Sequence, residues 1–463
     1  MAICAYARTK EGQFGIWHCR WEMCLGQIRK LFLENLVLGC LWVKYLGLCQ
    51  GAQMMNLEHN RQQQMGLSRR GFVATSAALG VTVLPAKTVF SYQENEKIGL
   101  GVIGAGGRGR WIADLFLKHG GYRIVAAADY FQDRVDGLGN AFGVPEANRF
   151  TGLAGYRRLL DKKPDAVTVQ TPSYFHPEQS LAAVEAGCHV FLAKPIAVDV
   201  PGCLDILRAG ELARRKKLCF LVDFQTRANA LYQEAVRRVH AGDIGTIVCA
   251  EARYYTGFDP AREQALARDP SNKELQLRYW ALLRVLSGDV ITEQNIHALD
   301  VATWFLNADP VKAYGTGGRK GRGAGGDCWD HFAVIYYFPG DVVLSFSSKQ
   351  LGTGYETISC RVFGTEGTAD TDYWRAVSIS GKRPFEGGSV EGLYTTGAQG
   401  NIATFYDSIR RGDFTNPTVE PSVRSNLTTI LGRMAAYRHG EVTWDEMMRT
   451  AEKWEFDTSG LRQ

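Results

Sequence analysis

The sequence has no large excess of charge, no Cys-x-x-Cys motif and no internal repeat. Its 53 Lys and Arg residues nearly balance 48 Asp and Glu residues, and the net charge of +5 gives no reason to expect a nucleic-acid partner. The 11 cysteines are scattered, so neither a metal site nor a disulfide framework is indicated. With 45% hydrophobic and 22% charged residues the composition is that of a globular protein, and the length suggests roughly two to three domains.

Residues 97–222 alternate strands and helices, which predicts a doubly wound parallel sheet of the Rossmann type in an α/β protein. The first strand leads into a glycine-rich turn and a helix, and the second strand ends at Asp129. The turn residues are Gly104, Ala105, Gly106, Gly107, Arg108 and Gly109. This order is typical of a dinucleotide site, with the turn on the pyrophosphate and Asp129 on the ribose. A glycine-rich loop that binds nothing is the alternative.

The carboxylate of Asp129 also bears on the choice of nucleotide. A carboxylate at this position accepts hydrogen bonds from a ribose 2′-hydroxyl and repels a 2′-phosphate, so NAD is the expected cofactor. The nearby Arg134 leaves NADP open.

Two later strand ends carry further candidate ligands. Thr171 and His176 follow a strand at 166–170 and are expected to line the cofactor cleft, because ligands bind at the carboxyl ends of parallel strands. His176 could equally begin a helix without touching a ligand. The strand at 188–192 leads to Ala193-Lys-Pro195, which points Lys194 into the cleft unless it is a solvated surface lysine.

From about residue 97 to the C-terminal helices, the order of these motifs resembles the Gfo/Idh/MocA family of sugar and cyclitol oxidoreductases. The resemblance implies that Lys194 lies near the nicotinamide and the reacting hydroxyl, as the lysine of a Glu-Lys-Pro motif. Ala193 stands where the family usually has glutamate, which puts the fine positioning of the nicotinamide in doubt.

The strand and helix patterns of residues 223–463 predict a C-terminal α+β domain with a large, mostly antiparallel open sheet, and the resemblance implies that this domain serves substrate binding and oligomerisation. A hairpin is predicted over 330–346, with further strands at 358–363 and 368–372. Helices are predicted at 231–241, 275–286, 401–411, 422–437 and 443–454. The glycine-rich stretch 315–326 predicts a flexible loop. The resemblance implies a homo-oligomer formed through the sheet.

Glu293, His297 and Asp300 are spaced four and three residues apart, which places them near one face of a helix. The residues alone favour a hydrogen-bonded structural histidine. The resemblance implies instead that His297 faces the nicotinamide from the second domain, with Glu293 at a position that the family fills with aspartate.

The resemblance therefore implies an NAD(P)-dependent oxidoreductase that acts on a secondary alcohol of a sugar or cyclitol by hydride transfer. Lys194 and His297 are assigned to proton handling, and Glu293 to orienting His297 or raising its pKa. Candidate substrate-binding residues are Arg227, Tyr255, Trp280, Asn295 and His297. The alternatives are an NAD-dependent glycoside hydrolase with a retained cofactor and a non-catalytic nucleotide or sugar sensor.

The N-terminal 96 residues differ from the rest of the chain. Residues 1–64 have no clear hydrophobic period, and the apolar stretch 31–48 carries Glu34 and Lys44, so no stable membrane span is expected. We expect this segment to be disordered or an upstream misreading of the gene.

Residues 65–96 predict an export signal and a linker. Arg69 and Arg70 precede a short run of small apolar residues and then Leu84-Pro-Ala86, which resembles a twin-arginine signal with its cleavage site. An ordinary amphipathic helix is the alternative. The signal predicts the twin-arginine export machinery as a partner, a periplasmic protein and a tightly bound nucleotide; without it the protein would be cytoplasmic.

Overall fold

The computed structural model describes residues 96–463. The predictions for the N-terminal extension and for the export signal therefore lie outside the described residues. Among residues 96–463, no helix combines the length and the apolar character that crossing a bilayer would need.

The first domain is built on a parallel sheet of six strands, which confirms the predicted doubly wound fold. The strands are β1 (Ile98–Ile103), β2 (Tyr122–Asp129), β3 (Arg149–Thr151), β4 (Ala166–Val169), β5 (His189–Ala193) and β6 (Phe220–Asp223). The connecting helices are α1 (Gly107–His119), α2 (Gln132–Phe142), α3 (Gly155–Leu160), α4 (His176–Glu185) and α5 (Val200–Arg215). All residues of β1, β4 and β6 are buried, because helices cover the sheet on both faces.

The strand order β3-β2-β1-β4-β5-β6 places the carboxyl ends of β1 and β4 side by side. Ile103 pairs with Ala128 of β2 on one side and with Val169 of β4 on the other. The chain leaves β1 and β4 in opposite directions across the sheet, so a crevice opens where the order reverses. Ligands of open α/β sheets bind in such a crevice.

The second domain carries a nine-stranded sheet in the order β14-β13-β12-β11-β7-β10-β9-β8-β15. Its first strands are β7 (Ile247–Thr256), β8 (Lys312–Gly318), β9 (His331–Tyr337), β10 (Val343–Gln350) and β11 (Thr357–Gly364). The others are β12 (Gly367–Asp372), β13 (Ala376–Gly381), β14 (Phe385–Ser389) and β15 (Glu441–Thr443). All neighbours are antiparallel except β7 and β10. The predicted mostly antiparallel sheet is thereby confirmed.

The part of the second domain that the structure describes also contains nine helices. They are α6 (Ala230–His240), α7 (Ala261–Ala267), α8 (Lys273–Arg278), α9 (Arg284–Ser287), α10 (Asp289–Glu293) and α11 (Ile296–Leu306). The last three are α12 (Leu393–Arg411), α13 (Val419–Arg438) and α14 (Trp444–Thr450). One continuous core contains Leu192 and Val222 of the first sheet together with Phe332 and Tyr336 of the second. Shared burial therefore fixes both walls of the crevice.

Several predicted elements differ from the observed ones. The helix expected over 401–411 begins at Leu393, and the one expected over 443–454 ends at Thr450. The helix expected over 275–286 is divided into α8, a 3₁₀ turn at Trp280–Leu282 and α9. The stretch 315–326 is not all loop, since its first residues complete β8 and only those after Gly318 lack regular structure. Buried and exposed residues alternate along part of β8, but its three glycines give no hydrophobic pattern from which a strand could be predicted.

The helix predicted to carry Glu293, His297 and Asp300 is two helices. The backbone N–H groups of Gln294 and Asn295 both donate to the carbonyl of Val290, at 2.9 and 3.0 Å, which ends α10 before α11 begins. Glu293 is therefore the last residue of one helix, whereas His297 lies in the first turn of the next.

Candidate active site

The glycine-rich turn brings β1, α1 and the loop after β4 into close contact. Gly104 has φ +96°, and a Cβ atom there would lie 2.6 Å from the carbonyl carbon of Gln170. At Gly109 an added Cβ would lie only 1.8 Å from the Gly104 carbonyl oxygen. No side chain caps the start of α1, and its first turn holds no acidic residue. Gly106 and Gly107 line the crevice, so this turn can receive a diphosphate on backbone N–H groups.

Asp129 is held at the wall of the crevice by two backbone donors. Its carboxylate accepts hydrogen bonds from the N–H groups of Ala105 at 2.8 Å and Phe131 at 3.0 Å. Burial raises the pKa of the Asp129 carboxyl, while these two donors and Arg134, 3.9 Å away, oppose the shift. The carboxylate thus lies next to the turn in the place expected for a ribose-binding group.

The crevice is a cleft of about 660 Å³ with walls from both domains. This volume is in the range of small-molecule and cofactor sites. The first domain contributes the glycine turn, Asp129, Thr171 and Lys194, and the second contributes Trp280, Glu293 and His297. The residues expected at the two ends of a dinucleotide therefore share one cavity.

Lys194 lies at the end of β5 and reaches across the cleft to α10. Its Nζ donates to the backbone carbonyl of Glu293 at 2.6 Å and lies 3.8 Å from the Glu293 carboxylate. Burial lowers the pKa of Lys194; nearby Arg108 lowers it further, whereas Glu293 and Asp223 act in the opposite direction. The amine is thus both positioned and made easier to deprotonate.

His297 faces the same cleft from α11. Its ring packs edge-on against Tyr373, with 5.5 Å between the ring centres, and its Nδ1 has no hydrogen-bond partner among the described residues. Burial, with contributions from Lys194 and Arg108, holds the pKa of His297 well below its usual value. The imidazole is therefore neutral at physiological pH and free to exchange a hydrogen bond with a ligand.

The role expected of Glu293 toward His297 is corrected by these contacts. The prediction that Glu293 raises the pKa of His297 is wrong, because that pKa is lowered and Glu293 is not among its causes. The Glu293 carboxylate instead accepts a hydrogen bond from Gln294 and lies beside Lys194. The break between α10 and α11 explains the difference, since the two residues no longer lie on one face of a single helix.

Arg108 leaves the glycine turn and extends toward the end of the cleft that holds Lys194. Its guanidinium forms an ion pair with Asp223 at 2.5 Å and donates to the Tyr394 hydroxyl at 3.0 Å. Asp223 is fully buried, and Asn401 also donates to it, at 2.8 Å. Sequence reasoning missed Asp223 and Tyr394. The position of Asp223 at the carboxyl end of β6 was a usable signal, whereas Tyr394 has none.

Thr171 and His176 have different environments. Thr171 lines the cleft and donates to Gln179 at 2.5 Å. The ring nitrogens of His176 lie 2.8 Å from the carbonyl oxygens of Pro195 and Thr171, and burial lowers the pKa of His176 to about 4. His176 is not in the cleft wall, so the cofactor contact expected of it is replaced by a link between the loops after β4 and β5.

Only some of the candidate substrate-binding residues line the cleft. Trp280 lines the cleft together with His297. Arg227 instead forms two short hydrogen bonds to buried Asp300, at 2.8 and 3.0 Å. Tyr255 bonds Ser347 at 2.6 Å on the sheet, and Asn295 is fully buried. Arg227, Tyr255 and Asn295 therefore lie outside the cleft lining. Arg227 and Tyr255 are held by partners distant in sequence, and Asn295 is buried at the break between α10 and α11.

The fold and cleft define a two-domain dinucleotide-binding protein, and comparison with protein families gives the family. Residues 98–224 match the model described as "Oxidoreductase family, NAD-binding Rossmann fold", and residues 232–370 match the "GFO/IDH/MocA C-terminal domain". Together the two matches cover more than half of the chain. The chain belongs to the Gfo/Idh/MocA oxidoreductase family. Within residues 96–463, no three His, Cys, Asp or Glu side chains are grouped to hold a metal ion.

Two curated relatives and one solved structure show what the chain is similar to. Inositol 2-dehydrogenase 3 of Saccharopolyspora erythraea is 34% identical over 47% of this chain and 56% of that protein. D-glucoside 3-dehydrogenase of Escherichia coli is 27% identical over 48% of this chain and 58% of that protein. The chain thus spans little more than half the length of these relatives.

The scyllo-inositol dehydrogenase of Lactobacillus casei, solved with NAD(H) and scyllo-inositol, has a TM-score of 0.59 and 18% identity to this chain. The match covers 75% of this chain and 99% of the other. It shows that the whole two-domain fold is shared.

Proposed function

We propose that this protein is an NAD-dependent dehydrogenase that oxidises a secondary alcohol of a cyclitol, sugar or glycoside. The observation that carries the proposal is the arrangement of one cleft. The glycine turn and Asp129 lie in it, and so do the buried amine of Lys194 and the neutral imidazole of His297. The names of the relatives, which act on inositols and a glucoside, support this substrate class.

The residues present fit a nicotinamide dinucleotide. The turn at Gly106 and Gly107 offers uncapped backbone donors without a competing acid, and Asp129 offers a carboxylate fixed by two N–H groups. When bound, the nucleotide supplies a hydride acceptor. Asp129 favours the unphosphorylated ribose of NAD, because a 2′-phosphate would lie against its charge.

In the proposed reaction the protein's own residues handle the proton of the substrate hydroxyl. Lys194 accepts this proton at Nζ, and its lowered pKa increases the fraction of free amine near neutral pH. The bond from Nζ to the Glu293 carbonyl holds the amine toward the second domain. His297 presents its uncharged imidazole to the hydroxyl from the second domain, and Trp280 forms an apolar wall against the ring of the substrate.

Replacement Lys194→Ala tests the assignment. Inositols, aldoses and methyl glucosides are incubated with NAD, and the appearance of reduced nicotinamide is followed by absorbance. We expect Lys194→Ala to reduce kcat by about 10²- to 10⁴-fold, the usual contribution of a proton-transfer group, without loss of NAD binding. The matched control is Lys118→Ala, which removes an exposed ion pair with Asp114 on α1. Full activity of Lys194→Ala would refute the proposed mechanism.

A second candidate is a glycoside hydrolase that retains its nucleotide and oxidises the sugar only transiently. The similarity to a D-glucoside 3-dehydrogenase favours glycosides as substrates in both cases. Aryl glycosides incubated without added nucleotide separate the two reactions. Release of the aryl group would identify the hydrolase, whereas accumulation of reduced nucleotide identifies the dehydrogenase.

A further inference from the structure

The loop that follows Asp129 is held by α8 of the second domain. The Tyr130 hydroxyl donates to Glu274 at 2.7 Å. The Arg278 guanidinium makes two hydrogen bonds to Asp133, at 3.0 and 3.1 Å, and lies 4.0 Å from the centre of the Phe131 ring. The first turn of α2 and the residues before it are thus attached to a helix from outside the Rossmann domain.

The chain after α14 reinforces this attachment. Lys273, at the start of α8, donates to the Asp457 carboxylate at 2.6 Å and to the Ser459 carbonyl at 2.8 Å. Arg462 donates from its guanidinium to the Tyr130 carbonyl at 3.1 Å. The same short segment therefore contacts both α8 and the loop after Asp129.

An apolar cluster beneath these polar contacts is separate from the main core. Its buried members are Tyr130, Phe131, Leu277, Leu286, Phe456 and Leu461. A small cluster of this kind can open without disrupting the continuous core that joins the two sheets. The attachment of α8 therefore rests on apolar contacts distinct from the core that joins the two sheets.

The cleft passes directly beside this attachment. Leu277, Arg278 and Tyr279 line it together with Asp129 and Gly106. In a dinucleotide fold the carboxylate at the end of the second strand marks the adenosine half of the ligand. A planar guanidinium beside an aromatic ring and an apolar side chain is suited to contact a purine.

We propose that α8 forms part of the binding site for the adenosine half of the nucleotide, with Arg278 as its main contact. The inference rests on the proposed function. The contacts between α8 and the loop after Asp129 hold Arg278 at the cleft, and in this way they slow dissociation of this half of the ligand. The second domain then supplies a nucleotide-binding surface as well as the substrate side of the cleft.

The dissociation rate of NADH tests the proposal in the full chain. Protein loaded with NADH is mixed with excess NAD, and the loss of bound-nucleotide fluorescence is recorded. We expect Arg278→Met to release NADH about tenfold faster, the scale of losing charge-assisted hydrogen bonds. Tyr130→Phe keeps the ring and removes the hydroxyl, which donates to Glu274 and accepts from the N–H of Arg462, and it should accelerate release by a smaller factor. Arg208→Met removes an exposed ion pair with Asp205 on α5, far along the chain from α8, and should leave the rate unchanged.

Fragments of the nucleotide locate the effect. Arg278→Met should weaken binding of AMP by a factor similar to the gain in release rate and leave binding of nicotinamide mononucleotide unaltered. An unchanged release rate in both Arg278→Met and Tyr130→Phe, with unchanged melting temperatures, would overturn the role of α8. Failure of the unaltered protein to bind any nicotinamide nucleotide is a different result, because it would overturn the proposed function itself.

Discussion

At the scale of single residues, opposing charges around the Lys194 amine set the pH dependence of the proposed reaction. Burial and Arg108 lower its pKa, whereas Glu293 raises it. Oxidation needs the unprotonated amine, so the rate should rise with pH through the pKa of Lys194. Glu293→Gln removes the larger of the two influences that raise this pKa, the other being Asp223, and should shift the rising limb of kcat/KM toward lower pH.

The pH profile of Glu293→Gln is measured beside that of Glu211→Gln, which alters only an exposed pair with Arg215 on α5. The control should follow the unaltered protein. A shift of the Glu293→Gln profile to higher pH would contradict the assignment of the limb to Lys194.

Arg227 gives a second prediction at this scale, on stability. Its guanidinium is paired with Asp300, whose carboxylate is fully buried and also accepts from Ser425 at 2.7 Å. Arg227→Met leaves that charge without its partner and should lower the free energy of unfolding by about 3 kcal/mol in urea titration. The KM of the folded protein should not change, because Arg227 lies outside the cleft lining.

Arg237→Met is the control for this prediction, since Arg237 pairs with Glu234 on the exposed surface of α6. Exposed pairs of this kind contribute little, so the free energy of unfolding of this variant should barely change. A raised KM in Arg227→Met with unchanged stability would contradict this prediction and support the substrate-binding role that the sequence suggested for Arg227.

The residues that the sequence correctly predicted to lie in the cleft were predictable from local sequence patterns. Gly106, Asp129 and Lys194 occupy the carboxyl end of a parallel strand or the turn beyond it, and the alternation of strands and helices predicts that edge. Arg227 and Tyr255 were misplaced because their partners, Asp300 and Ser347, are distant in sequence. No local pattern distinguishes an arginine paired in the interior from one that faces a ligand.

At the scale of secondary-structure elements, the junction of β1 with α1 depends on the absence of one side chain. Gly109→Ala would place a methyl group 1.8 Å from the Gly104 carbonyl oxygen, so the turn and the helix must separate. We expect this variant to lose nucleotide binding, measured by calorimetric titration with NAD, while its circular dichroism remains that of a folded protein.

Gly137→Ala is the matched control, because Gly137 lies within α2 and an added Cβ would be no closer than 4.0 Å to Arg110. There alanine should keep NAD affinity and stabilise the helix by up to about 1 kcal/mol. Equal NAD affinity in Gly109→Ala and the unaltered protein would show that the turn does not form the site.

In the second domain the hairpin was predicted more reliably than the divisions between successive helices. The hairpin of β9 and β10 was readable because Phe332, Val334 and Tyr336 alternate with exposed residues before the Pro339–Asp341 turn. The points at which the helical stretch 273–306 is divided into separate helices could not be predicted from the sequence. Gly288 precedes α10 with a left-handed backbone conformation, φ +81°. The helix ends where Gln294 and Asn295 both donate to the carbonyl of Val290. The spacing of apolar residues indicates neither of these boundaries.

At the scale of the whole molecule, the cleft couples nucleotide binding to the stability of both domains. Its walls come from the two sheets and from α8, while one core continues beneath them. A ligand that binds only the folded state, present at 100 times its Kd, adds about 2.7 kcal/mol to the free energy of unfolding. NAD should therefore raise the Tm by a few degrees in a single transition recorded by differential scanning calorimetry.

Lys194→Ala should show the same rise in Tm, because it keeps the nucleotide site, whereas Gly109→Ala should show none. Two separate transitions, of which only one responds to NAD, would mean that the nucleotide binds the Rossmann domain alone and that the second domain contributes no part of its site.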